Sequence, residues 1–207
     1  MARTEATERR EQIIRATYRA FAEKGSAEVT LQDIADRAEF SKGVVMYYFP
    51  EGKERVFVAL LEWLVNINGQ AIMQAVKAAE GAEAKLGAMV GSVFSNANAN
   101  RRFYTVYLDF VANGLRNPKF RAANISFYEW CREINREIVE TGIAEGVFRP
   151  VAMEEASAVM RSILDGLCMQ WLFEEVGPDR EKEEELFTRY KNWALSAMRA
   201  FLLKKIR

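Results

Sequence analysis

The sequence has no histidine in 207 residues, two cysteines and four prolines. Without histidine it lacks the side chain most used as a general base near neutral pH and the commonest metal ligand. A Ser–His–acid triad cannot be assembled either. Cys131 and Cys168 stand far apart in apolar helical text, without paired-cysteine metal spacing, and are expected to be free buried thiols in a reducing compartment. No metal site, cofactor or catalytic residue is expected. Lys24-Gly25 and Lys42-Gly43 lack the preceding glycines of a phosphate-binding loop. No apolar run approaches the roughly 18 residues of a membrane span, and the first residues lack the apolar stretch of a secretion signal. A cytoplasmic protein is expected. Net charge is also missing, with 29 basic and 29 acidic side chains. Residues 1–60 carry ten of each, so a DNA-facing surface must come from sorting charges between faces.

What is present is helical periodicity. Residues 30–49, TLQDIADRAEFSKGVVMYYF, read as two short helices around the break Ala38-Glu39-Phe40. Thr30 is a good cap with Asp33 at capping-box spacing, and Ser41 caps the second helix. Leu31, Ile34, Ala35 and Ala38 form one apolar face. Val44, Val45, Tyr48 and Phe49 supply inward anchors, leaving Lys42, Met46 and Tyr47 nearer the surface. Helices this short are marginal alone and need support. A first helix over 5–24, stopped by Gly25, precedes them. Arg9 and Arg10 at its start are within reach of a phosphate or a minor groove, or are simply solvated. A long helix over 53–79 follows and is expected to act as a rigid lever between two domains, 1–54 and 55–207.

The remainder reads as all helix, near 82–96, 101–114, 118–141, 152–176 and 179–204. The breaks are Gly81, Asn96–Asn100, residues 113–118, Gly142–Pro150 and Gly177-Pro178. The fold class is therefore all-α, with about nine helices: an N-terminal three-helix helix-turn-helix domain and a C-terminal helical dimerisation domain. The last two helices carry more apolar width than one small core requires, and a homodimer interface through them absorbs the excess.

FAEKG, T-L-x-D-I-A, S-K-G and Y-Y-F, followed by the long helix led by Lys53, resemble the DNA-binding domain of TetR-family transcriptional repressors over residues 8–63. Ile163-Leu164-Asp165-Gly166-Leu167, with Trp171 after it, is similar to the dimer helix of the choline–betaine regulators. The resemblance implies a homodimeric repressor that binds a near-palindromic operator in double-stranded DNA and releases it when a small molecule enters the C-terminal domain. It also implies that residues 41–48 form the recognition helix. The implied DNA contacts are Thr30, Ser41, Lys42, Gly43, Val44, Tyr47, Tyr48 and Lys53. Val44, Val45 and Met46 depart from the family's threonine, leucine and tyrosine. Glu39 stands where glycine is common, and one extra residue precedes Lys53.

The helices around the implied cavity offer Trp63, Phe103, Tyr104, Tyr107, Phe110, Phe127, Tyr128, Trp130, Cys131, Met169 and Trp171 as an amphipathic lining, or as ordinary core. Asn66, Asn113, Glu129 and Asp165 are the polar candidates. A hydrophobic or amphipathic effector of unknown identity fits, whether an organic cation, an aromatic acid or an acyl chain. A helical ligand-binding dimer without operator binding, and an activator of the same fold, stay open.

Overall fold

The computed structural model describes residues 2–174 and 179–204, with side chains from residue 5 onward. Nine helices are formed among the described residues: α1 Ala2–Glu28, α2 Leu31–Arg37, α3 Lys42–Tyr48, α4 Lys53–Ala78, α5 Ala82–Val93, α6 Ala97–Gly114, α7 Pro118–Ala144, α8 Met153–Leu172 and α9 Arg180–Leu202. The only strand-like pairing among these residues is one antiparallel bridge, Phe148 with Leu203. The expected turn at Gly177-Pro178 lies outside the described residues.

Two compact units are formed. The first comprises the chain up to Ile67 together with Thr105–Ile125. Its core is apolar: Ile13, Ala16, Ala20, Phe21, Ile34, Ala35, Val45, Phe49, Leu60 and Phe110 are all nearly or fully buried. Phe21 is the central ring, 4.9 Å from Phe57 and 5.3 Å from Phe110. Gly25, at φ 75°, breaks the path of α1 where the sequence places its end. Glycine reaches that backbone region without a Cβ clash. The freed Ser26 amide donates to Asp109 Oδ2 at 2.8 Å.

The second unit comprises Asn68–Tyr104 and the chain from Ser126 onward. Trp171 and Phe94 both close on Phe187, at 4.7 and 5.2 Å between ring centroids. The buried Lys85 ammonium donates to Val76 O at 3.2 Å and Glu137 Oε1 at 2.9 Å, which meets the charge that burial would otherwise strand. Both cysteines are free and buried, as expected.

Three expectations are corrected. Asn96–Asn100 is a helix start, not a break: Asn96 Oδ1 accepts from the Ala99 amide at 2.8 Å, and α6 begins at Ala97. Gly142 lies inside α7, because the Phe148 ring packs against the space a Cβ would fill. Finally, α4 is long and apolar enough by length and composition to cross a membrane, although 44% of its most apolar stretch is buried inside the protein. Val56, Phe57, Leu60, Leu61 and Leu64 of that helix are core residues.

Candidate nucleic-acid interface and effector cavity

The α2–α3 geometry follows from its caps. Thr30 Oγ1 accepts from the Asp33 amide while the Asp33 carboxylate accepts from the Thr30 amide at 2.9 Å, a complete capping box. Lys24 and Thr30, hydrogen-bonded to the Asp33 carboxylate, hold it well below the usual carboxylate range. Ser41 Oγ accepts from the Val44 amide at 3.3 Å and starts α3. Between them Glu39 takes φ 58°, the left-handed region, at a cost of roughly 1–2 kcal/mol for a residue with a Cβ.

These caps orient α3 so that Val45 is fully buried and Phe49, at its end, closes the core. Lys42, Gly43, Met46 and Tyr47 are exposed, Tyr47 at 79%. Lys42 makes no ion pair among the described residues, whereas nearby Arg37 pairs with Glu23. Val44 and Tyr48 are half-buried, with the Tyr48 ring edge-on to Tyr47 at 5.2 Å. A Cβ on Gly43 would meet only Ser41 Oγ, at 3.6 Å, so nothing inside the protein requires glycine there. Thr30 and Ser41 are exposed at the two helix starts. Lys53 heads α4, but its ammonium donates to Ala27 O at 3.3 Å and lies 5.3 Å over the Phe57 ring. Arg10 lies 4.5 Å over Phe49 and Arg9 pairs with Glu5.

The implied effector residues divide between the units. In the first, Trp63 is half-buried and donates to Glu11 at 3.4 Å, while Tyr107 and Phe110 are core residues. In the second, Tyr104, Phe127 and Trp171 are buried and Phe103 is half-buried. Tyr128 and Cys131 line a cavity of about 890 Å³ between α7 and α8. Trp130 lines a smaller recess that shares Cys131, Asn135 and Arg161 with it.

The cavity centres on groups that periodicity did not single out. Arg161 donates through Nε to Asp165 Oδ2 at 2.7 Å and pairs a second time through Nη2. Its guanidinium lies 4.7 Å over Phe127 and 6.0 Å over Tyr128. Tyr104 Oη donates to Asp165 Oδ1 at 3.2 Å. Burial pushes the Asp165 carboxyl up from its ordinary range, with Arg161 and Tyr104 pulling against it. Burial likewise raises the Cys131 thiol, and that of Cys168 to about 11, so neither is a ready nucleophile. Asn135, Ser157, Arg132 and Arg136, with Glu154 and Ser162, complete the polar lining. Arg132, Asn135 and Arg136 recur at threes and fours along α7, a polar stripe that an apolar pattern does not mark.

Comparison with known proteins bears on both regions. Residues 13–60 match the profile of bacterial regulatory proteins of the tetR family, and residues 82–192 match that of the BetI-type transcriptional repressor C-terminal domain. The chain is 29% identical over 133 residues to the HTH-type transcriptional regulator BetI of Stenotrophomonas maltophilia, covering 62% of this chain and 68% of that one. It is 24% identical over 190 residues to BetI of Yersinia pestis, covering 89% and 90%. A TetR transcription regulator from Haloarcula marismortui shares the fold with TM-score 0.79 and 24% identity, over 95% of this chain and 99% of that one. A transcriptional regulator from Saccharomonospora viridis, solved in complex with choline, matches with TM-score 0.77 and 21% identity, over 96% and 100%.

Proposed function

The chain belongs to the TetR family of bacterial regulators and carries the C-terminal domain of the BetI-type repressors, and on that premise we propose that it is a ligand-responsive repressor. Its homodimer holds a near-palindromic operator and leaves it when a small molecule occupies the C-terminal domain. It binds DNA through its helix-turn-helix and is a regulator, not an enzyme. Residues 1–54 carry the operator contacts and residues 55–207 carry effector binding and dimerisation, in the cytoplasm.

The observation that carries the operator reading is the α3 surface. Lys42 and Tyr47 are exposed on a helix whose opposite face is buried, and exposed Lys42 makes no ion pair among the described residues. Thr30, Ser41 and Lys42 are assigned to phosphates and the groove edge, Gly43 to close backbone approach, and Val44, Tyr47 and Tyr48 to the groove. Lys53 is assigned a phosphate, for which it exchanges its exposed bond to Ala27. The dimer surface falls on α8 and α9, where Met169 and Trp193 are 40% and 48% exposed.

The effector is assigned to the α7–α8 cavity. The choline complex of the Saccharomonospora viridis regulator supports a small-molecule effector, and the 890 Å³ volume is ample for one. The test is a mobility shift with a duplex selected by the intact protein from a randomised pool. Lys42→Ala and Tyr47→Ala are each expected to weaken that complex about tenfold or more with the melting temperature unchanged. Failure to select any sequence at low salt defeats the repressor reading.

A further inference from the structure

Two polar side chains in the α7–α8 cavity have no hydrogen-bond partner among the described residues. Asn135 is 4% exposed and Ser157 is 6% exposed, and both line the cavity. Neither side chain hydrogen-bonds to another described residue. Their polar atoms open into the cavity, where they are available to a polar group that enters it. An amide and a hydroxyl each both donate and accept. They suit a polar partner without fixing its charge.

The charge is set by the arginines. Arg132 and Arg136 stand one helical turn apart on α7 and flank Asn135. Arg132 has no ion pair among the described residues, and Arg136 has only a 3.9 Å contact with Glu133. Of the two acids in the lining, Asp165 is already held by Arg161, leaving Glu154 in the exposed first turn of α8. An organic cation needs an open aromatic face. Here the guanidinium of Arg161 already lies over one face of the Phe127 ring, 4.7 Å from its centroid, and 6.0 Å from that of Tyr128. The protein's own cation occupies that position.

We infer that this cavity binds a small organic carboxylate, its anionic head between Arg132, Arg136 and the Asn135 amide, with Ser157 as a further donor. The inference rests on reading the cavity as the effector site. It departs from the cation held by the Saccharomonospora viridis regulator. Forked guanidinium donors suit a carboxylate, and charge-assisted bonds to it are the stronger kind. Met153 and Ala158 supply apolar wall for the remainder of the molecule.

The test is calorimetric titration of the full-length protein with matched probes: hexanoate against hexylammonium, and benzoate against choline. Both carboxylates are expected to bind saturably, and both cations about tenfold more weakly or worse. The double variant Arg132→Ala/Arg136→Ala, with helix content checked by circular dichroism, is expected to lose about tenfold in carboxylate affinity. Ser157→Ala is expected to lose less. Preference for either cation, binding of neither carboxylate, or unchanged affinity in a folded double variant overturns the inference. Carboxylate binding that leaves operator affinity unaltered keeps the site and removes its effector role. A ligand-free protein that binds no operator defeats the repressor reading alone.

Discussion

Asp33 carries two duties at once, closing the α2 capping box and pairing with Lys24. Its folded pKa is depressed, so it contributes stability that is present above the unfolded value, about 3.9, and lost as pH falls through the folded value. The α2 cap is therefore expected to survive acidification past about pH 4 and to open only well below it. Carboxyl NMR titration of Asp33 checks this, and Asp33→Asn should remove the pH dependence. A second residue-scale consequence concerns base reading. The α3 sequence KGVVMYY offers only Lys42 and two tyrosine hydroxyls for hydrogen bonding, so apolar contact must carry part of the discrimination. Met46, 36% exposed, is expected to meet a thymine methyl. Replacing thymine by uracil at the contacted operator step removes one methyl and should weaken binding about fourfold. The penalty should vanish in Met46→Ala.

At the scale of elements, two glycines separate two physical causes. At Gly25 a Cβ would have room, its nearest neighbour being Asp109 Oδ2 at 3.7 Å, but φ is 75°. Gly25→Ala is expected to cost about 1–2 kcal/mol through the backbone alone. At Gly142 the backbone is helical and the obstacle is steric: a Cβ would stand 2.0 Å from Phe148 Cδ2, and Phe148 is fully buried. Gly142→Ala is expected to cost about 2–3 kcal/mol by overpacking. Urea denaturation of both variants measures the two costs.

The same contrast explains what the sequence made legible. The Gly25 stop, the Thr30 and Ser41 caps and the α3 exposure pattern are encoded within a few neighbouring residues, so local reading reached them. Gly142 looks like a turn in the sequence because its reason, the Phe148 ring, arrives from beyond the helix. Asn96 looks like a break in the sequence because a capping asparagine and a loop asparagine are alike until an amide donates to one of them. The α7–α8 cavity was legible only at Tyr128, Cys131 and Asp165. Ser157 and Arg161 acquire meaning from the spacing between two helices, which no single-helix pattern records.

For the whole molecule, α8 and α9 bury Trp171, Phe187, Tyr190 and Met198 while leaving Met169, Phe173 and Trp193 exposed. These exposed apolar side chains are the ones a second copy would cover. Trp193→Glu is expected to convert the proposed dimer to monomer in sedimentation experiments. Operator affinity should fall with it, since each half-site is then bound singly. The first compact unit has a different lesson for anyone recombining regulators. Phe21 stacks on Phe110, the Ser26 amide rests on Asp109, and Glu54 meets Asn117 and Lys119. A helix-turn-helix excised as a contiguous N-terminal piece would leave behind the ring and carboxylate that finish its core. A graft onto a foreign sensor is expected to retain its melting behaviour only when Thr105–Ile125 travels with it, so the transplantable part is two stretches of chain.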